Sequence, residues 1–440
     1  MRRALVLGGG IAGLTAAVVL ADHAEEVIVV ERDDLATDSD PRRPNPSAPH
    51  SLGIHELARR QFDRWLPGLT ETLLGEGARP VDSGSHWHVD GVRKAPVAGE
   101  PLICLTAPLL QRRLRDRVAA LPAVHLIRGK ATGLTHHGSR VDGALVADPG
   151  RRGPGDRIGA DLVVDAMGRS SRLGEWLARA GYPTPPTRRV VLDLGYATRL
   201  YRRDPDGRRV DDPDSVYSLR TGRLGPAGGL LLLPVEGDRW SATVLGYGDA
   251  RPTRDVADFE ARCRAEPVAA LHRLVRTSAP VSEVAAARHR DSRRRDFHRM
   301  RRLPAGLAAL GDSVASLNPV YGQGLSVALL QAGALHAWLR TPGAIDEPAA
   351  GYFDRSRVVV DAAWRLSAAG DLLLPNAEAR RAWGMPLSRG LAGLLARATI
   401  TDAGVHRRYL DVAAMRRHPR ELARPRFVLS TMRAALRSTT

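Results

Sequence analysis

A chain of 440 residues, 43% hydrophobic, is long enough for a large core and two domains, and no apolar run reaches the ~18 residues of a membrane span. Its two cysteines, Cys104 and Cys263, exclude a disulfide framework and a redox-active C-x-x-C pair, and point to a reducing, cytoplasmic setting. The net charge of +17 invites a nucleic-acid reading, yet Lys94 and Lys130 are the only lysines and the arginines scatter outside one run, 288–302. Attraction of an anionic substrate, a carrier protein or a pyridine nucleotide fits that pattern better.

Residues 4–7 form a short apolar strand, followed by Gly8-Gly9-Gly10-Ile11-Ala12-Gly13, a helix to about His23, a second strand over 27–30, and Glu31. Glu31 stands 18 residues after Gly13, close to the spacing of a dinucleotide-binding unit. In such a unit Gly8 makes the tight turn, Gly10 admits the pyrophosphate, Gly13 lets helix and strand pack, and Glu31 accepts the ribose hydroxyls. Met1-Arg2-Arg3 before an apolar run imitates a secretory signal, but three consecutive glycines interrupt the run. Cleavage would also remove the fingerprint, so a signal is not expected.

Residues 32–50 are polar and proline-rich, a loop crossing the nucleotide, from which Arg42 or Arg43 is a candidate to reach the cofactor. Residues 51–74 read as helical and 84–97 as strands and turns. His86 and His88 would share one face of a strand; with no third ligand they read as a surface or pocket pair rather than a metal site. A strand at 102–105 precedes an arginine-rich helix at 109–121, and short strands follow at 124–128, 133–137 and 143–146. The apolar run 162–164 fits a buried parallel strand ending at Asp165, which places Asp165 and Gly168 where open α/β sheets bind ligands.

Composition changes after Tyr182-Pro183: long strands are expected over 190–201, 215–219, 229–234 and 240–246, an antiparallel sheet with one face on a pocket. Leu192, Leu194, Tyr196, Leu230, Leu232 and Val244 are its candidate apolar wall, with core filling the alternative for most of them. Residues 255–276 read as helical, interrupted at Pro267. The first domain then resumes. A strand end at 307–310 leads into Gly311-Asp312, a loop with Pro319, Gly322, Gln323 and Gly324, and an apolar helix. Unpaired N–H groups at that helix start suit an electron-rich ligand edge, and Asp312 is placed to accept from hydroxyls. A flavin, with its ribityl chain and its N1/C2=O edge, has both features. From Tyr352 onward the chain is mostly helical.

Together GGGIAG with Glu31, DAMGRSS and GDSVASLNPVYGQG resemble the single-component FAD-dependent monooxygenases of the aromatic-hydroxylase class. VVDAMGRSSRLGEWL, DLGYATRLY and NPVYGQGLS look most like the bacterial polyether epoxidases of the lasalocid and monensin type. Ser326, where aromatic hydroxylases commonly have Asn, and Asp361, Trp364 and Asp371 echo that branch. The resemblance implies that Gly8, Gly10 and Gly13 hold the pyrophosphate, Glu31 the ribose and Asp312 the ribityl hydroxyls. It implies further that Pro319, Gly322, Gln323 and Gly324 frame the isoalloxazine. Two departures stand out. Ala107 occupies the position of a flavin-touching arginine, leaving Gln111 or Arg112 as substitutes. The acid-glycine pair after the strand is Asp165-Ala166, with glycine only at Gly168.

The fold class expected is α/β: a Rossmann-like FAD-binding domain, an antiparallel-sheet substrate domain and a helical C-terminal region. The FAD domain would comprise residues 1–75, 103–182 and 285–360, the substrate domain 76–102 and 183–284, and the helical region 361–440. The resemblance implies insertion of one oxygen atom from O2 into a hydrophobic secondary-metabolite-like substrate through a flavin C4a-hydroperoxide. Alkene epoxidation needs no protein base; ring hydroxylation would want one, for which Tyr196, Tyr217, His86 and His88 are candidates. A prenyl-chain reductase and a cyclase with FAD as scaffold remain open, while a halogenase would need W-x-W-x-I-P, which is absent. With a single fingerprint, electrons must come from transiently docked NAD(P)H or a partner reductase. A small hydrophobic molecule is the expected partner, with neither nucleic acid nor integral membrane association.

Overall fold

Short apolar runs without polar alternation become strands buried on both faces. Leu307–Ala309, Leu162–Asp165 and Arg3–Leu7 are of this kind, and with Glu26–Glu31 and the partly exposed edge strand Val124–Arg128 they lie side by side in that order as a fully parallel sheet. The computed structural model describes residues 1–33, 50–84, 86–150, 153, 155–203, 214–222, 226–269, 276–371, 374, 378–379 and 385–437. The central strand returns through the helix Ile11–Ala21, whose eight-residue run Gly13–Leu20 is wholly buried. Helix Gly324–Leu339 follows the edge strand in the chain and packs against helix Ile11–Ala21. The parallel sheet thus draws its strands from three separated stretches of the chain.

A second, larger sheet carries Thr187–Arg202, Val216–Arg220, Gly228–Val235, Arg239–Tyr247 and Ala285–Arg295, antiparallel except where Trp87–Val89 joins Val216–Arg220 in parallel. Here the strands are longer than the sequence suggests, because Thr187–Arg202 continues past its apolar stretch as a ladder between two neighbours. The helix expected over 51–74 is instead a strand, Ser51–Ile54, followed by helices Glu56–Trp65 and Leu69–Gly75. Pairing with Pro101–Thr106 supplies the backbone bonds that turn Ser51–Ile54 into strand.

The basic run 288–302 is only partly internal: Arg294 is buried and Arg293 and Arg295 half-buried, while Arg288, Arg290, Arg299, Arg301 and Arg302 are exposed. Arg288 pairs with Asp193, Arg293 with Asp291, and Arg294 with both Asp296 and Asp361, while Arg295 donates to the Ser313 carbonyl. Among the described residues no helix is long and apolar enough to cross a membrane.

Candidate active site

Both expected glycine loops lie at the C-terminal edge of the parallel sheet. At Gly8, φ is +109°, and a β-carbon there would meet the Ala166 carbonyl oxygen at 2.5 Å. At Gly13 a β-carbon would come to 1.8 Å from the Gly8 oxygen, so only glycine lets the helix sit on the strand. Gly10 differs, since a β-carbon there would meet nothing within 4 Å, as at Gly324. These two positions border open space and form the cradle. Helices Ile11–Ala21 and Gly324–Leu339 both start there with no side-chain cap, so their first-turn N–H groups face the cradle.

Glu31 ends its strand beside the first loop, accepting from Gly9 N–H at 2.6 Å and Asp33 N–H at 3.0 Å. Asp312 is half-buried on the Gly311–Ser313 turn; one carboxylate oxygen accepts from Ser316 Oγ at 2.9 Å. Desolvation raises its pKa, against the Ser316 hydrogen bond and the charges of Arg169 and Arg295. Arg169 is held by the Asp291 carboxylate at 2.7 Å, the Asp291 carbonyl at 2.8 Å and Ser316 Oγ at 2.7 Å. Sequence reading missed Arg169 as the link between strand Ala285–Arg295 and the Asp312 turn, although it stands inside the DAMGRSS motif.

Asp165 is fully buried and turned inward: its oxygens accept from Met167 N–H, Ser313 Oγ and Ser171 Oγ. It braces the strand end against the Gly311–Ser313 turn. Gly168, at φ +64°, donates its N–H to Ser313 Oγ at 3.0 Å. The Gly311 N–H finds the Gln331 side chain at 2.7 Å, a contact no motif announces.

Pro319–Tyr321 and left-handed Gly322 (φ +65°) form the second loop, fixed by Asn318 accepting from Val320 N–H. Asn318 in turn donates to Asp371 at 2.7 Å. Gln323 donates from Nε2 to the Ala413 carbonyl at 3.1 Å, while its Oε1 is buried without a partner. His55 lies against Gly322, and burial together with the Arg416 charge pushes its pKa down to about 4. Gln111 is half-buried on helix Ala107–Ala119, while Arg112 is exposed. Arg43 lies outside the described residues.

The register of the large sheet decides which of its residues share a face. Cross-strand partners share a face. Thr198 opposes Thr243, Thr243 opposes Leu231, Leu231 opposes Tyr217, and Tyr217 opposes Trp87. Side-chain contacts follow that row: Thr198 and Thr243 hydroxyls are 2.7 Å apart, and the Tyr217 and Trp87 rings stack at 4.6 Å. His50 bonds Thr198 through Nδ1 at 2.7 Å and meets the Tyr196 ring edge-on at 4.8 Å; burial lowers its pKa to about 4. Tyr196 senses the charges of Arg169 and Asp312, placing this end of the row near the cradle.

Most of the expected apolar wall points elsewhere. Leu230, Leu232 and Val244 lie on the opposite face, in a core with Phe259 and Cys263 of helix Val256–Ala265. Leu192 and Leu194 are sealed in the main core. Of the six, Tyr196 and Leu194, two residues before it on the same strand, lie on the row's side, and half-buried Leu231 joins them. His86 and His88 flank Trp87, and among the described residues no three His, Cys, Asp or Glu side chains gather for a metal.

Residues 2–340 match the family described as the FAD binding domain. Protein Rv3254 of Mycobacterium tuberculosis is 31% identical over 394 residues, spanning 86% of this chain and 81% of that protein. Two solved structures share the fold: the tetrameric form of 2-methyl-3-hydroxypyridine-5-carboxylic acid oxygenase has a TM-score of 0.63 at 17% identity, covering 95% of this chain and 98% of its own. The other, pqsL, a probable FAD-dependent monooxygenase from Pseudomonas aeruginosa, has a TM-score of 0.64 at 17% identity, covering 85% and 97%. The cradle fits the cofactor that the family model names: bare glycines, two uncapped helix starts, the Glu31 and Asp312 carboxylates and the unpaired Gln323 oxygen. The chain belongs to the FAD-binding domain family, a flavoprotein on the fold of the flavin-dependent monooxygenases.

Proposed function

We propose that this FAD-dependent monooxygenase inserts one oxygen atom from O2 into an apolar, secondary-metabolite-like substrate by epoxidising an alkene. Bound FAD supplies the oxygen-activating chemistry; the chain binds, orients and keeps out water. Gly8, Gly10 and Gly13 hold the pyrophosphate, Glu31 the ribose, and Asp312 the ribityl hydroxyls. Pro319, Gly322, Gln323 and Gly324 frame the ring system. Gln111, rather than exposed Arg112, takes the place of the arginine missing at Ala107. Asp165 and Gly168 act one step back, by fixing the turn that carries Asp312.

The observation that carries epoxidation is the row Thr198, Thr243, Leu231, Tyr217 and Trp87, with Tyr196 beside it: aromatic, aliphatic and hydroxyl groups with no carboxylate. Such a wall orients an apolar molecule and offers no acid. Ring hydroxylation is the second reading, favoured by His50, a neutral imidazole beside Tyr196 that could take a phenol proton.

Labelled oxygen gas separates the two. One labelled atom at a former double bond is expected, and one on a ring carbon selects hydroxylation. Loss of a double bond with two hydrogens gained, or rearrangement without label, refutes both. Mixing the oxidised enzyme with NADPH or NADH in a stopped-flow cell identifies the donor, and no bleaching with either assigns a partner reductase.

A further inference from the structure

At the far end of the row, over Trp87, lies Lys94, 5% exposed. Its Nζ is 5.2 Å from the Trp87 ring centre and 4.7 Å from that of Tyr409 on helix Ala403–Ala413. No carboxylate among the described residues pairs with it. Its titratable neighbour His406 donates from Nδ1 to the Ala95 carbonyl at 2.6 Å. That leaves Nε2 a buried lone pair with no partner, and burial and Lys94 push the His406 pKa down to about 4. His406 therefore offers no negative charge. The Tyr217 hydroxyl, on the ring stacked against Trp87, is also buried without a partner.

A lysine sealed among rings without a counter-ion is costly to keep charged. Cation–π contact returns only part of that cost. Burial accordingly lowers its pKa to about 8. In a chain whose other cations are nearly all arginine, this buried lysine is a flexible single-point donor. On the cofactor side Tyr409 lies within electrostatic reach of Tyr321 of the second loop. The other end of the row reaches His50 and Tyr196. Four strand spacings of about 4.8 Å separate the ends, roughly 19 Å.

We propose that Lys94 is the substrate's anion anchor: it donates to a carboxylate or enolate oxygen at one end of an apolar body that lies along Trp87, Tyr217 and Leu231. This deepens the monooxygenase reading and rests on it, by giving the apolar substrate one acidic oxygen. The surplus positive charge of the chain steers such a molecule toward the site.

Having only two lysines makes the test direct. FAD-loaded protein grown with carbon-13 lysine gives two side-chain signals, assigned by K94M. Benzoate and benzyl alcohol serve as charged and neutral probes. Benzoate is expected to shift the Lys94 signal and leave Lys130 in place, with binding that fades as pH rises through about 8. K94M should weaken benzoate by at least about tenfold while changing benzyl alcohol less than about twofold, and K94R should retain part of the benzoate affinity. Three results overturn the proposal: no benzoate binding to the wild type at millimolar concentration, an unmoved Lys94 signal at saturation, or equal losses for both probes in K94M. The last would mean that Lys94 only holds the aromatic box together. FAD content, read from the visible spectrum of the same samples, reports separately on the flavoprotein reading, and the titration needs no turnover.

Discussion

The proposed cofactor cradle and the row-bearing face of the large sheet are built by different means. Backbone makes the cradle: glycines that admit no β-carbon, two helix starts and a pair of carboxylates at strand ends. Side chains make the sheet face, and which ones is decided by register. The period-two alternation of a strand sends Leu231 to the site and Leu230 and Leu232 to the core. Backbone sites tolerate almost no substitution at fixed positions, whereas a sheet face accepts many side chains as long as the strands keep their pairing.

The largest expected difference follows from the cradle. Gly13→Ala drives a β-carbon into the Gly8 carbonyl, so it should cost about 3 kcal/mol or more in stability and abolish FAD retention. Gly10→Ala meets no protein atom and should leave the melting temperature of the FAD-free chain unchanged while weakening FAD. Melting curves with and without added FAD check both. Equal destabilisation by the two would mean that Gly10 does not face the cofactor.

The two faces of the sheet give the next contrast. Phe259, fully buried behind the strands, should cost about 3–5 kcal/mol when truncated to Ala, with FAD affinity of the folded fraction unchanged. Leu231→Ala on the open face removes a half-buried side chain and should cost no more than about 1 kcal/mol, its effect falling instead on substrate affinity. Urea titration reads the difference. Equal losses would show that the open face is core.

How much of this was legible in the sequence follows the same division. Gly8, Gly10, Gly13, Glu31 and the Asp312 loop stand out in the sequence because backbone geometry imposes residue type and spacing. The apolar wall does not, because GGLLLLPV carries no alternation to show which leucines face inward. Ser51–Ile54 was misread as helix because its strand state depends on pairing with Pro101–Thr106, far along the chain. Arg169, Gln331 and Lys94 act through contacts between distant segments that no local pattern encodes.

The open face ends at Tyr247, whose hydroxyl lies 3.5 Å from Asn318 Nδ2, and Asn318 carries the contact on to buried Asp371. Burial, against hydrogen bonds from Asn318, Tyr321, Ser292 and Ser367, raises the Asp371 pKa to about 6. The native state therefore binds this proton more tightly than the unfolded chain. The stability it contributes is complete below about pH 4 and is lost as pH rises through 6. That loss amounts to about 3 kcal/mol at most. Asp371→Asn keeps an acceptor for Asn318 and should flatten the stability profile between pH 4 and 7, measured by urea unfolding at each pH. An unchanged slope would show that Asp371 is ionised throughout that range.

The smallest effect belongs to the hydroxyl pair at the cradle end of the row. Thr198 and Thr243 are both buried, 2.7 Å apart, and Thr198 also meets His50 Nδ1. Thr243→Val keeps the shape and removes one hydroxyl, but Thr198 retains His50 as a partner, so no buried group is stranded. The expected cost is about 1 kcal/mol, the net worth of one neutral hydrogen bond. Thr198→Val strands His50 Nδ1 as well and should cost about 2 kcal/mol. If the site end of the face is held by this chain of bonds, Thr198→Val also changes the position of His50 against Tyr196, and substrate affinity falls with it while FAD affinity stays. A Thr198→Val protein that loses stability but binds substrate as before would assign the pair to the sheet alone.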